Sequence, residues 1–354
     1  MVSVKGLLAV SALFAATAVA AEPATLTLAS WGGAYGKSQQ EAFINEHMAR
    51  TGDKVLVEDY SGGLAQVRSQ VKTGKVTWDV VDLELQDAIR ACDEGLLEPF
   101  DPAWLAPAPD GTPAVQDYEK GALTKCAVGS LSIGYIIAYN DSKFAGDKPS
   151  SVADFFDLKK FPGKRGMKKS PRATLEWALM ADGVAPADVY EVLSTPAGID
   201  RALRKLDQIK DSIVWWEAGA QPPQLLASGE VAMSTAYNGR IYDAVTVDKQ
   251  PFKLIWDGQI QFPEMFGIVA GTRNLEAAKR LVVAGTMPKV LAAQTKYVSY
   301  GPLRKSALQF VDPEVRPYLP TTPENTRSAV RLDAEWWADH LDELNQKFAV
   351  WLAK

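Results

Sequence analysis

Apolar and polar positions along this chain switch repeatedly between a period of two and a helical period. Residues 25–30 (Thr-Leu-Thr-Leu-Ala-Ser) alternate and predict a half-buried strand. Residues 38–50 place Ala42, Phe43 and Met48 at helical spacing. A second strand is expected over 54–59, a short helix over 64–71, a buried strand over 78–82 and a helix over 86–92 that stops near Gly95. An apolar strand follows at 131–139. Helices are expected at 174–180, 186–193 and 196–209, the last two with Pro in a first turn that needs no amide donor. Strands are expected at 213–216, 231–237, 252–256 and 266–270. A helix capped by Asn274 is expected over 274–286, and a long amphipathic one over 333–352 carrying Trp336, Trp337 and Trp351. Residues 99–113, rich in Pro and Asp, read as a surface connection. Strands alternating with helices predict α/β layering and a largely parallel sheet. No repeat, low-complexity tract or flexible linker divides the 354 residues.

The first 21 residues have a different character. Lys5 precedes an apolar run of small residues that ends in Ala18-Val19-Ala20, the form of a cleavage site, and Glu22-Pro23 follow. This is the pattern of a cleaved secretory signal peptide, 1–21, and it predicts a periplasmic protein. No Cys follows the cleavage region to carry a lipid, and no later stretch is long and apolar enough for membrane insertion. Cys92 and Cys126 are the only cysteines. In an oxidising compartment an even pair bonds, the alternative being two buried thiols.

Composition excludes some functions. Hydrophobic residues are 47% and charged residues 23%, enough for a substantial core. Removing residues 1–21 takes the formal net charge from −5 to −6, with no strongly basic tract, so no nucleic-acid partner is expected. With two histidines, His47 and His340, both expected on helix surfaces, general acid–base chemistry has few candidates. No nucleophile elbow, zinc-protease motif or phosphate loop occurs. Gly32-Gly33-x-x-Gly36 has the wrong spacing for dinucleotides and reads as a turn bringing backbone and Trp31 toward a ligand. An enzyme is therefore not expected, and neither a metal nor a cofactor.

Among the carboxylates Asp82, Glu84, Glu176, Glu217 and Glu264, three have aromatic neighbours. Glu176 stands beside Trp177, Glu217 follows Trp215-Trp216, and Glu264 follows Phe262-Pro263. Carboxylates beside ring faces are what an ammonium ligand needs, since oxygens accept its charged hydrogen bonds and the rings attract the cation.

Several segments in order then carry a family resemblance. Ser30-Trp31-Gly32-Gly33-Ala34-Tyr35 looks like a first ligand loop, and Trp78-Asp79-Val80-Val81 like a strand leading into a site loop. The run from Asp154 to Lys164, the stretch from Gly229 to Gly239, and Tyr300-Gly301-Pro302 are similar in the same way. The chain resembles the periplasmic spermidine/putrescine-binding proteins of ABC importers. That resemblance implies a type II periplasmic binding protein fold of two α/β lobes with a ligand cleft between them, 22–131 with 264–308 and 132–263 with 309–354. It implies a monomer that passes a small amine ligand to an ABC transporter membrane permease. Trp31 becomes an aromatic wall, with Tyr35 in the same loop. Glu176 and Glu264 take amine-binding positions, Tyr237 and Tyr300 are cleft aromatics, and Trp216 joins them. Glu84 falls where a Ser is common, Phe262 where a Trp is common, Glu264 where an Asp stands, and Trp337 where a polar residue is seen. A polyamine is the leading expectation. Arg240, or Arg172, entering the cleft instead favours a zwitterion such as γ-aminobutyrate or another amino acid.

Overall fold

The computed structural model describes residues 23–354, so the leader expected at 1–21 lies outside the described residues. The alternating segment forms β1 (Thr25–Ser30), flanked by parallel β2 (Lys54–Asp59) and β3 (Val80–Glu84). Two long strands follow in space: β4 (Ala127–Asn140), buried along its whole length, and β8 (Phe252–Ile268). Beyond them lie β7 (Met233–Tyr237), β5 (Arg165–Lys168) and β6 (Ile213–Trp216). The order in the sheet is β2-β1-β3-β8-β4-β7-β5-β6.

The sheet is mixed, not largely parallel as expected. β8 runs antiparallel to both β3 and β4, and β4 antiparallel to β7. Each outer trio remains parallel, so the α/β expectation holds locally while β4 and β8 join the two halves. Where they do so, the register slips between Gly129 and Ser132, and Pro263 stands opposite Ser132. A proline lacks the amide that a regular ladder would use, so it is tolerated at such an irregularity.

β8 replaces the two strands expected at 252–256 and 266–270. Its middle carries Gly258, Gln259, Gln261 and Pro263, which read locally as breakers. The chain stays extended because the buried glutamine amides find distant carbonyls. Gln259 donates to Pro320 and Asn325, and Gln261 to Pro320. Asn274 does not cap its helix, Leu275–Gly285, either. Its amide instead donates to the Thr25 carbonyl and to Asp79, tying the helix start to β1.

Apolar clusters lie on both faces of the sheet. One packs Leu26, Leu28, Phe43 and Leu281 under the first trio, and a larger one packs Phe155, Trp177, Met167 and Trp216 in the other half. The C-terminal helix Ala334–Leu352 starts at Asp333, whose carboxylate accepts from the Trp336 amide, and buries Trp337 completely. Cys92 and Cys126 are bonded, with Cα atoms 5.6 Å apart. His47 is buried, not superficial: its Nε2 lies 3.1 Å from Asp53, which also pairs with Arg280. His340 stacks on Trp336. No helix among the described residues is long and apolar enough to cross a membrane.

Candidate functional site

Parallel strands direct their carboxyl ends the same way, and loops at those ends form crevices. In the first half these ends present Trp31 after β1, Tyr60 after β2 and Glu84 at the end of β3. In the second half they present Lys168 at the end of β5 and Tyr237 at the end of β7. All five line one cavity of about 760 Å³, together with Arg172, Glu217, Arg240, Glu264 and Tyr300. That volume suits a small molecule.

Of the residues expected at a site, Trp31, Tyr35, Glu84, Tyr237, Arg240, Glu264 and Tyr300 meet on this cavity. Glu176, Trp216, Phe262 and Trp337 do not line it. Glu176 is wholly buried inside the second half, where its Oε1 accepts from Trp337 Nε1 at 2.8 Å and from Tyr190 at 2.9 Å. Two neutral donors hold this carboxyl, whose pKa is raised by burial. Trp216 packs edge-on against Tyr135 and Tyr237, one layer behind the wall. Phe262 also backs Tyr237.

Tyr60, Asp87 and Lys168 were not anticipated. Tyr60 stacks on Trp31 with ring centroids 4.8 Å apart, and its hydroxyl donates to the carbonyl of Asp82. The position of Tyr60 directly after a strand was the available signal. Lys168 donates to the Tyr237 hydroxyl at 2.7 Å. In sequence it belonged to an unremarkable basic pair, and only β5, not expected there, aims it inward.

The charges of the cavity fall into an order. Glu264 accepts from Trp31 Nε1 at 2.8 Å and is buried beside the Trp31–Tyr60 stack. Burial first, then the charges of Glu84 and Asp82, push its pKa well up. Glu84 stands directly opposite Glu264 in the β3–β8 ladder. Burial would raise it too, but Arg172 and Lys168 outweigh this and hold it below the ordinary range. Arg172 bonds Glu84 from across the cavity. Asp82, beneath the floor, is held by Tyr35 and Gln39 and is raised by burial to about 7.

Arg240 opens the helix that follows β7, and its guanidinium packs on the backbone of Gly33. A Cβ on Gly33 would lie 2.8 Å from Nη1, the movable end of that side chain; it is φ of +55° that favours glycine here. Whereas Arg172 is matched by Glu84, no carboxylate among the described residues forms an ion pair with Arg240. The cavity therefore offers an aromatic pocket with a carboxyl and, separately, a guanidinium that makes no ion pair among the described residues, with Asp243 on the same helix sensing its charge.

Residues 42–321 match the family model described as bacterial extracellular solute-binding protein. The chain belongs to that family. It is a solute-binding protein, not an enzyme. A γ-aminobutyric acid-binding protein of Pseudomonas aeruginosa is 42% identical over 341 residues, covering 96% of this chain and 94% of its own. The solved Atu4243 GABA receptor is 32% identical with a TM-score of 0.82, over 93% of this chain and 98% of that one. A spermidine/putrescine-binding protein from Streptococcus pneumoniae, covering 93% of this chain and 99% of its own, has a TM-score of 0.72 but 15% identity, a likeness of fold. The fold is that of the type II periplasmic binding proteins, two α/β lobes with a cleft between.

Proposed function

We propose that this protein captures a short zwitterionic ω-amino acid, γ-aminobutyrate or a near relative, and delivers it to the membrane permease of an ABC importer. The observation that carries this reading is that Glu264, under the Trp31–Tyr60 stack, and Arg240, without an ion pair among the described residues, line one cavity. Glu264 takes the ammonium, with the ring faces contributing cation–π attraction. Arg240 takes the carboxylate through a planar fork, with Lys168 and the Tyr237 hydroxyl at its flank. The relatives named for γ-aminobutyric acid support the same ligand class. A diamine is the less favoured reading, because its second ammonium would face Arg240 or a Glu84 already neutralised by Arg172.

In this reading the lobes are 22–131 with 264–308 and 132–263 with 309–354, the leader at 1–21 is cleaved, and the protein works as a periplasmic monomer. Isothermal titration with γ-aminobutyrate, putrescine, spermidine and glutamate tests the ligand. Binding of γ-aminobutyrate that Arg240→Gln weakens at least about thirtyfold is expected, as a desolvated charge pair loses one partner. Binding of putrescine or spermidine alone would refute it.

A further inference from the structure

Two carboxylates, Glu84 and Glu264, face each other across neighbouring strands and share one cavity, yet only one of them lacks a cation. We propose that Arg172 determines ligand class: by neutralising Glu84 it leaves, of the two facing carboxylates, only Glu264 without a paired cation and so selects one-ammonium zwitterions over diamines. This deepens the ω-amino acid reading and rests on it.

The geometry that puts Arg172 there is specific. Arg172 precedes Ala173, which adopts φ +66°, a left-handed conformation that costs a residue with a Cβ. The next residue begins the helix Thr174–Ala181. This strained turn at the helix start places the guanidinium toward β3 of the other half. There Glu84 Oε2 accepts from Arg172 and from Gln86. Both side chains of the pair are largely shielded, 18% and 12% exposed. Screening by water is correspondingly weak, and an unmatched carboxylate here would act on any ligand in the cavity. Besides Arg172 and Gln86, Glu84 senses the charges of Lys168, Asp87 and Glu264; Lys168 is a second nearby cation, but its ammonium donates to the Tyr237 hydroxyl, and the ion pair to Glu84 is made by Arg172. Without it, two acidic groups on adjacent strands would flank the Trp31–Tyr60 pocket, an arrangement suited to a dication.

The test is a ligand-class titration of the whole protein. Wild type is expected to bind γ-aminobutyrate and to bind putrescine and cadaverine at least about a hundredfold more weakly. Arg172→Gln should raise diamine affinity at least about tenfold, a gain that a merely damaged fold cannot produce. Arg172→Lys, which keeps the charge, should retain the wild-type preference. Glu84→Gln approaches from the other side: it uncovers Arg172, so it should weaken γ-aminobutyrate at least about tenfold and raise the affinity for glutarate, a dianion. The double variant should return to the wild-type preference. A folded Arg172→Gln protein with unimproved diamine binding would overturn the inference. If that variant does not fold, an unchanged preference in Glu84→Gln overturns it equally. Wild type that binds diamines and no ω-amino acid sinks the proposed function instead, so the two failures are distinguishable.

Discussion

Replacing Glu264 with Gln removes one negative charge while keeping nearly the same shape, and its effect follows from the surroundings of the carboxyl. Losing one partner of a buried, hydrogen-bonded charge pair costs about 2–5 kcal/mol. Part of that is offset here. Burial and the neighbouring Glu84 and Asp82 charges raise the pKa of Glu264, so the ionised form that pairs with an ammonium is disfavoured relative to an ordinary carboxylate. The expected loss is therefore near the lower end, about 2–3 kcal/mol, or roughly 30–150-fold in Kd for γ-aminobutyrate. The same reasoning fixes a pH dependence. Lower pH favours the neutral carboxyl, so wild-type affinity should fall as pH falls from about 8.5 to 5, a range that keeps an amine of pKa about 10.4 charged. Binding should also release protons, seen as titration heats that vary with the ionisation enthalpy of the buffer. Glu264→Gln should show a flatter pH profile and less proton release. A loss below threefold, or identical pH profiles in the two proteins, would refute this account of the ammonium pocket.

Three further outcomes concern groups away from the ligand. Trp337→Phe removes a donor to the buried Glu176 and leaves a small void, so unfolding free energy should drop by about 2–4 kcal/mol while ligand affinity changes less than threefold; a large affinity loss would restore Glu176 to the binding site. Opening the Cys92–Cys126 bond frees a loop with sequence separation 34. Guanidinium unfolding of a double Ser variant should show about 3.8 kcal/mol less stability by the chain-entropy relation, and an unchanged midpoint would count against it. Asp82 has its pKa raised by burial to about 7 in the folded protein, against 3.8 as its ordinary value. The native state then holds the proton more tightly, so this residue's contribution to stability is greatest at low pH and falls as pH rises through that interval, by at most about 4 kcal/mol. Asp82→Asn should flatten that decline in thermal melts between pH 4 and 8, and an unchanged slope would place the titrating group elsewhere.

The periodicity of residues 25–30, 54–59 and 213–216 was enough to place β1, β2 and β6, because alternation and helical spacing are properties of neighbours in sequence. The family resemblance, together with aromatic neighbours of the carboxylates, brought Trp31, Tyr35, Glu84, Tyr237, Arg240, Glu264 and Tyr300 into consideration, and these meet on the cavity. Local logic failed where a distant partner overrides a local signal. The glutamines of β8 carry the strand past Gly258 because their amides reach carbonyls of Pro320 and Asn325, which no window around them contains. Glu176 beside Trp177 reads like an ammonium site, yet the helix it sits on turns it inward to Trp337 and Tyr190. The pairing of Arg172 with Glu84 shows the limit most clearly. The sequence supplies both charges, but whether they meet a ligand or each other depends on how two sheet halves face across a cleft. A charge is a property of one residue. Its neutralisation is a property of a distance of a few ångströms, which only the folded chain sets.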